Sequence, residues 1–288
     1  MNLKKWTALT STILMTIALL LVGCQTAAPT AAPRSGKLTI SGSTSMLELV
    51  QELAAKYMDI NGGVTIDVQG GGSSVGLQNC VDGISDIGNS SSALKDTDTA
   101  KGLVGTDIAM DGVAVVVNPN NPVSDLAKND IVKIFKGEIT NWKDVSGADH
   151  EITVVNREAS SGTREAMGKL FGLSAKDADG KTVEYYTEKA LEQNSTGGVV
   201  TTVAGDEYAI GYISVGSVKD SVKPLAVGGV KAGKETILNG TYKYWRPFVM
   251  VTKGEPQGPG KAFIDWCLKD PAAIEIVNGK YIAMAEKK

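Results

Sequence analysis

Asn156-Arg157-Glu158-Ala159-Ser160-Ser161-Gly162-Thr163-Arg164-Glu165 is the stretch whose reading decides the fold. The run before it, Ile152-Thr153-Val154-Val155, is apolar and β-branched and reads as a buried strand. The run after it, Ala166-Met167-Gly168-Lys169-Leu170-Phe171, reads as a helix. The stretch is therefore a strand-to-helix loop. Ser161 or Thr163 can cap the helix, and Glu165 suits its first turn. Free N–H groups at such a helix end point outward where the dipole is positive, which makes a ready anion site. Arg157 adds a planar charged donor set suited to an oxyanion.

The same pattern recurs. Gly42-Ser43-Thr44-Ser45 follows the strand-like Lys37-Leu38-Thr39-Ile40. Gly70-Gly71-Gly72-Ser73-Ser74 follows the apolar alternation of residues 64–68. Gly88-Asn89-Ser90-Ser91-Ser92 follows Ile84-Ser85-Asp86-Ile87, and Asn194-Ser195-Thr196-Gly197-Gly198 precedes a helix-like run at 199–204. Any one of these is an ordinary capped loop, since hydroxyl residues and glycine favour caps and turns. Four of them at the carboxyl ends of strands point to one converging site. Open α/β sheets bind ligands at that edge.

The 288-residue chain opens with Lys4 and Lys5, then a mostly apolar run over 6–22, which has the form of a secretory leader. Leu21-Val22-Gly23-Cys24 resembles a bacterial lipobox, which implies cleavage after residue 23 and lipid on Cys24. The competing reading is an uncleaved membrane anchor. Residues 24–35 are small and proline-containing, and form a tether. The remainder, about 250 residues, suffices for two lobes. A net charge of −3 without a basic run leaves no electrostatic footprint for nucleic acid. Cys80 and Cys267 can pair outside the cytoplasm or sit buried as thiols, and the unpaired reading is favoured. The single histidine, His150, on a polar loop, gives zinc or copper chemistry nothing to stand on. No metal and no cofactor is expected.

The spacing predicts helices over 44–58, 74–80, 183–193, 258–268 and 271–277. Ser124-Asp125 is expected to cap one helix, with Ile131, Ile134 and Phe135 anchoring another. Strands are expected at 107–117, 209–213, 222–227 and 244–252, the last returning the chain to the first lobe. Residues 118–122, Asn-Pro-Asn-Asn-Pro, read as the first crossing between lobes. Strands alternating with helices imply an α/β fold with mainly parallel pairing. The expected lobes are 36–115 plus 235–288, and 116–234, with a hinged ligand cleft between them. Trp142, Trp245 and Trp266 read as packing residues and Arg246 as half of a structural ion pair. Arg164 is left between the site and a bracing role.

Taken together, the lipobox, Gly42-Ser43-Thr44-Ser45, Gly72-Ser73-Ser74, Asp86-Ile87-Gly88, Arg157-x3-Ser161-Gly162-Thr163-Arg164 and Ala209-Ile210-Gly211-Tyr212 resemble, in that order, the phosphate-binding lipoproteins of bacterial phosphate ABC transporters. The resemblance covers nearly the whole mature chain. It implies a type II periplasmic-binding-protein fold holding one dehydrated inorganic phosphate between two lobes. It implies a binding role without catalysis, with delivery to an ABC permease that has a cytoplasmic ATPase. The protein is expected as a monomer, anchored through lipid on Cys24 to the extracytoplasmic face of the cell membrane. Carried over by position, Thr44, Ser45 and Ser73 bind from the first lobe, and Arg157, Ser161, Gly162 and Thr163 from the second.

One position departs. Several members of the family it resembles carry an aspartate in the turn after the third strand, and here the aligned residue is Ser91. A carboxylate accepts the proton that phosphate retains and repels an unprotonated dianion such as sulfate. A serine hydroxyl accepts but does not repel. Sulfate or molybdate therefore stays open as an alternative ligand. An enzymatic reading rests on Ser92-Ala93-Leu94-Lys95, an S-x-x-K pattern without the Ser-Asp-Asn or Lys-Thr-Gly that would complete it. A sensor or adhesin on the same fold is a further alternative to transport.

Overall fold

In the computed structural model, residues 35–284 are described. The expected leader, Cys24 and the tether up to residue 34 lie outside the described residues. Among the described residues no helix is long and apolar enough to cross a membrane.

The chain begins β1 (Ser35–Gly42), α1 (Leu47–Ile60), β2 (Gly63–Gln69), α2 (Ser73–Val81) and β3 (Ile87–Ser90), with β1 paired in parallel to both β2 and β3. Helix α1 buries Leu49, Val50, Leu53, Ala54 and Tyr57, a stripe at three-to-four spacing that covers Leu38, Ile40, Ile66 and Ile87 of the sheet. It starts later than the 44–58 spacing suggests. Thr44 to Met46 form a turn instead, which leaves the Thr44 and Ser45 hydroxyls free of the helix. Strand β3 also lies further along than the 84–87 reading. Ile84 and Ser85 donate to the Asn79 carbonyl, which wraps them over the end of α2, and pairing with β1 begins only at Ile87.

A short helix α3 (Asp96–Thr99) precedes β4 (Leu103–Val117), the 15-residue strand that joins the two halves of the sheet. Next come β5 (Asp125–Leu126), α4 (Lys128–Lys136), β6 (Thr153–Arg157), α5 (Gly162–Phe171), β7 (Ser174–Lys176), β8 (Thr182–Glu184) and β9 (Leu191–Gln193). The chain continues through α6 (Thr196–Gly205), β10 (Ala209–Ser214), β11 (Lys223–Pro224), β12 (Ala226–Val227), β13 (Val230–Lys231) and α7 (Lys234–Leu238). It ends with β14 (Trp245–Lys253), α8 (Gly258–Lys269), α9 (Pro271–Lys280) and β15 (Ile282–Ala283).

The main sheet runs β2-β1-β3-β14-β4-β10-β6-β9, with β11 and β15 also on β4. Residues 103–112 of β4 pair antiparallel with β14, and residues 113–117 pair antiparallel with β10. The chain therefore changes partners inside β4, not at the Asn-Pro segment 118–122. The outer strands pair in parallel as expected, but all four strands that lie on β4 (β10, β11, β14 and β15) are antiparallel to it, so the sheet is mixed.

Each half carries packing on both faces. In the first, Leu38, Ile40 and Phe248 face α1 and α8, while Cys80, Leu103 and Val251 pack on the α2 side. In the second, Val113, Val115 and Val117 face α4 and α5, and Ala114 and Val116 face α6. That alternation is the period-2 signature of a strand buried on both sides. The result is a two-lobed α/β fold. Trp142 is fully buried and its indole N–H donates to the Tyr208 carbonyl. Cys80 and Cys267 are both free and buried.

Three further expectations change. Asp125 belongs to β5, which pairs with β12, and α4 begins after Ala127 with no side-chain cap. Residues 183–193 are not helical: Thr182–Glu184 forms a hairpin with β7, and Leu191–Gln193 pairs in parallel with β6. Thr182, Val183, Tyr185, Tyr186 and Thr187 are β-formers, and the sheet edge offered by β6 decides the rest. The strand expected at 222–227 is two short pieces, β11 and β12, pairing with different partners.

Candidate functional site

Turns at the carboxyl ends of β1, β3 and β6 meet the amino ends of α2, α5 and α6 at the seam between the two halves. The Ser45 hydroxyl lies 2.7 Å from that of Thr163 and 3.0 Å from that of Thr196. Thr44 accepts from the Thr196 backbone N–H at 3.1 Å. On the other side of Thr163, the Ser91 N–H donates to the Ser73 hydroxyl at 3.1 Å, and the two hydroxyl oxygens are 3.3 Å apart. Gly162 closes the gap between these groups. A Cβ on it would stand 2.4 Å from Ser73 Oγ and 2.8 Å from Ser91 Oγ, so no side chain fits there.

Arg157 ends β6 only 1% exposed. Its Nε and Nη2 donate to both oxygens of Glu158, at 2.8 and 2.9 Å. Nη2 also reaches Thr44 at 3.0 Å, and Nη1 reaches Thr196 at 3.2 Å. The guanidinium donates to these hydroxyl oxygens and so leaves their hydrogens to point elsewhere. The backbone is fixed from behind: the Arg157 N–H donates to the Asn156 side chain and the Tyr212 hydroxyl, and its carbonyl accepts from Arg164 at 2.6 Å.

Thr44, Ser45, Ser73, Ser91, Arg157, Gly162 and Thr163 thus share one cluster. Ser161 differs, because its hydroxyl accepts the Arg164 N–H and caps α5. Arg164 itself faces away, holding Glu184 at 2.7 Å and Glu192 at 3.2 Å with its guanidinium over the Tyr186 ring. It braces the loop.

Two residues not assigned to the site from the sequence belong to the cluster. Thr196 lies in the fifth hydroxyl-rich turn, and that turn was its signal. Arg246 sits on β14 directly opposite Asp111 on β4, and the ion pair expected for it is present at 2.9 Å. Arg246 Nη1 also donates to the Ser91 carbonyl at 2.6 Å and to the Thr163 hydroxyl at 3.0 Å. Ser214 donates to the other Asp111 oxygen at 2.7 Å. Burial pushes the Asp111 carboxyl above its ordinary range and the Arg246 guanidinium below its own, and their mutual contact opposes both shifts. The signal was a lone carboxylate in the apolar run Ile108-Ala109-Met110-Asp111-Gly112-Val113, which requires a buried cation.

The seam is further closed by backbone and ionic contacts. Ser74 N–H donates to the Ser160 carbonyl at 3.1 Å. Ser92 donates to Glu165 at 3.0 Å, and Lys95 pairs with the same carboxylate at 2.8 Å. Both members of the Ser-x-x-Lys pattern therefore converge on Glu165. His150 stacks on the Tyr208 ring at 3.7 Å.

The cluster presents hydroxyl and guanidinium donors, and each of its carboxylates, Glu158 and Asp111, is already tied to an arginine. Fold and site together define a two-lobed binding protein suited to a small oxyanion. The model of the PBP superfamily domain matches residues 27–271. The phosphate-binding protein PstS of Bacillus subtilis is 37% identical over 258 residues, which is 88% of this chain and 83% of that protein. A Clostridium perfringens chain, assigned as a phosphate ABC transporter substrate-binding protein and solved with bound phosphate, superposes with a TM-score of 0.80. It is 38% identical, and the match covers 86% of this chain and all of that one. An ABC-type phosphate transport receptor from Vibrio cholerae superposes with a TM-score of 0.69 at 36% identity, over 86% of this chain and all of that one. The chain belongs to the PBP superfamily and, within it, to the family of phosphate-binding proteins PstS.

Proposed function

We propose that this chain captures inorganic phosphate outside the cytoplasm and delivers it to an ABC permease driven by a cytoplasmic ATPase. One observation carries the reading: hydroxyls from both halves, Ser45 and Ser73 from one and Thr163 and Thr196 from the other, converge beside two buried arginines. Such donors replace the water of an oxyanion, and the charge-assisted contacts are the strong ones. Thr44, Ser45, Ser73, Ser91, Arg157, Gly162 and Thr163 are the proposed contacts, with Ser161 contributing through its cap. The role is binding, not turnover.

The two lobes are residues 36–115 plus 235–288, and 116–234. The change of strand partners between Gly112 and Val113 supports a boundary inside β4. In this reading the protein is a monomer held at the outer face of the membrane by lipid on Cys24. Closure of the lobes on phosphate creates the surface that the permease recognises.

Titration calorimetry on the purified chain in mild detergent, stripped of ligand by unfolding and refolding, tests the reading. Phosphate is titrated first, then sulfate and molybdate. Tight phosphate binding without sulfate heat supports it. Sulfate bound as tightly as phosphate would favour a general tetrahedral-oxyanion receptor, the reading that Ser91 keeps open. A folded protein that takes up none of the three overturns both.

A further inference from the structure

Arg246 is remote in sequence from every loop of the site, yet its guanidinium touches both sides of the seam. It holds the Ser91 carbonyl at 2.6 Å on one side and the Thr163 hydroxyl at 3.0 Å on the other. Asp111, its opposite number on β4, binds Nε and Nη2 from behind, at 3.2 and 2.9 Å. β14 and β4 are the two strands that join the lobes, so the pair sits where the halves meet.

We propose that Arg246 is a positioning residue for anion capture, which orients Thr163 and the Ser91 turn on lobe closure and lends the site a second positive charge. The inference rests on the phosphate reading above. Three features support it. The residue is 3% exposed, so its charge acts at short range with little screening. Its bond to Thr163 occupies a lone pair of that hydroxyl, which leaves the hydrogen to a ligand or to Ser45, 2.7 Å away. Arg157 is near enough for its charge to depress the Arg246 pKa, so the two cations repel across the hydroxyl cluster. An anion between them relieves that repulsion. A purely structural ion pair needs neither the Thr163 nor the Ser91 contact.

Phosphate carries about one negative charge below its second pKa and about two above it. Coulomb energy scales with the product of charges. The Arg246 guanidinium lies nearer the hydroxyl cluster than the Asp111 carboxylate behind it, and the field of the pair acts on the ligand in proportion to its charge, so the fold-loss on removing the pair should be roughly squared for the dianion, whereas a structural defect weakens both forms alike. The charged or titratable groups facing Arg246 are Asp111, Arg157 and Tyr281. Burial raises the Tyr281 phenol, which stays neutral across the range used.

The test is calorimetry of the full chain in mild detergent with inorganic phosphate at about pH 5 and about pH 8. The variant is the double substitution Asp111→Asn/Arg246→Gln, which leaves no unpaired buried charge. The expected loss relative to wild type is about tenfold at the lower pH and about a hundredfold at the higher, because the ligand charge doubles. Equal losses at both pH values, or affinity within about twofold of wild type, would overturn the proposal. If the double variant does not fold, Arg246→Lys decides, since it keeps the charge but not the fork. It should show the same fold-change at both pH values, and a larger loss at the higher one would overturn the proposal. Wild-type protein that takes up no phosphate overturns the functional reading and this one with it, and is distinguished by failing before any substitution is made.

Discussion

Ser45 and Thr163 are 118 residues apart in the chain and belong to opposite halves of the sheet, yet their hydroxyl oxygens lie 2.7 Å apart. Each follows a strand, β1 or β6: Ser45 sits in the turn before α1, and Thr163 lies in the first turn of α5. The contact joins the two halves at the place where the hydroxyl cluster is assembled.

Arg157→Ala should abolish tight phosphate binding and leave the fold intact. The side chain makes two bonds to Glu158 and one each to Thr44 and Thr196. Its removal loses a charge-assisted donor and also leaves the Glu158 carboxylate beside an incoming anion. Truncating one partner of a buried, hydrogen-bonded charge pair costs about 2–5 kcal/mol, so affinity should fall by about thirtyfold to several thousandfold. Unchanged affinity by calorimetry would remove Arg157 from the site.

Gly162→Ala tests the closeness of the seam. The added methyl carbon would meet Ser73 Oγ at 2.4 Å and Ser91 Oγ at 2.8 Å, and both are side chains of the opposite lobe. Overpacking of this kind costs about 1–3 kcal/mol. Because the clash exists only on closure, the cost should fall on phosphate affinity and spare the melting temperature of the ligand-free protein. Small-angle scattering should show the variant failing to contract when phosphate is added.

Ser91→Asp addresses ligand choice. In this chain neither Glu158 nor Asp111 is free to read the proton on phosphate, since each is held by an arginine. A carboxylate at position 91 should leave phosphate bound and weaken sulfate. A buried acceptor facing an unprotonated anion leaves contacts unmade at about 1–3 kcal/mol, or roughly five- to 150-fold in sulfate affinity. Competition by sulfate against bound phosphate measures it, and an unchanged ratio would mean that residue 91 does not set the choice.

The hydroxyl-rich loops were readable because their information is local: a strand, a glycine, serines or threonines, then a helix. That local signature marked the loops that converge, and the resemblance picked out Thr44, Ser45, Ser73, Ser91 and Thr163 within them. Arg246 was not readable in the same way. Its neighbours Trp245, Pro247 and Phe248 say only that it lies in a strand, and its role depends on β14 pairing with β4 to set it opposite Asp111. Residues 183–193 failed for a related reason. Their mixed polar and apolar pattern is compatible with the expected helix, but β9 forms because the edge of β6 is there to receive it. Parallel pairing was expected from strand–helix alternation, which holds for β1, β2 and β3. Only register reveals that β14 and β10 run against β4.

Glu165→Gln should loosen the closed state without touching the proposed anion contacts. Glu165 accepts from Ser92 and pairs with Lys95 across the seam. Lys95 is about half exposed, so the pair is screened. Pairs of this kind contribute about 0.2–1 kcal/mol, and the phosphate Kd should rise by no more than about fivefold. The change should appear in the dissociation rate measured by stopped flow, and should shrink at high salt as screening removes the wild-type advantage. A salt-independent loss would assign Glu165 to packing instead.

The two buried thiols make a prediction about alkaline pH. Burial pushes Cys80 up to about 12, and raises Cys267 as well. A free thiol ionises near about 8.5 in the unfolded chain. Above that pH the unfolded state sheds protons that the folded state keeps, so the unfolded state binds fewer protons and stability falls as pH rises. Below it both states are protonated and the thiols contribute no pH dependence. Denaturant melts between about pH 8 and pH 9.5, below the range where unfolded tyrosines ionise, should show a declining unfolding free energy, steepening by up to about 1.4 kcal/mol per pH unit for each thiol that stays protonated. Cys80→Ser/Cys267→Ser should flatten that part of the curve. In the native protein both thiols should resist alkylation at about pH 8, since thiolate is the reacting form, and both should react once denaturant is added. Rapid labelling of the native chain at either cysteine would contradict the buried, unpaired arrangement from which the slope is derived.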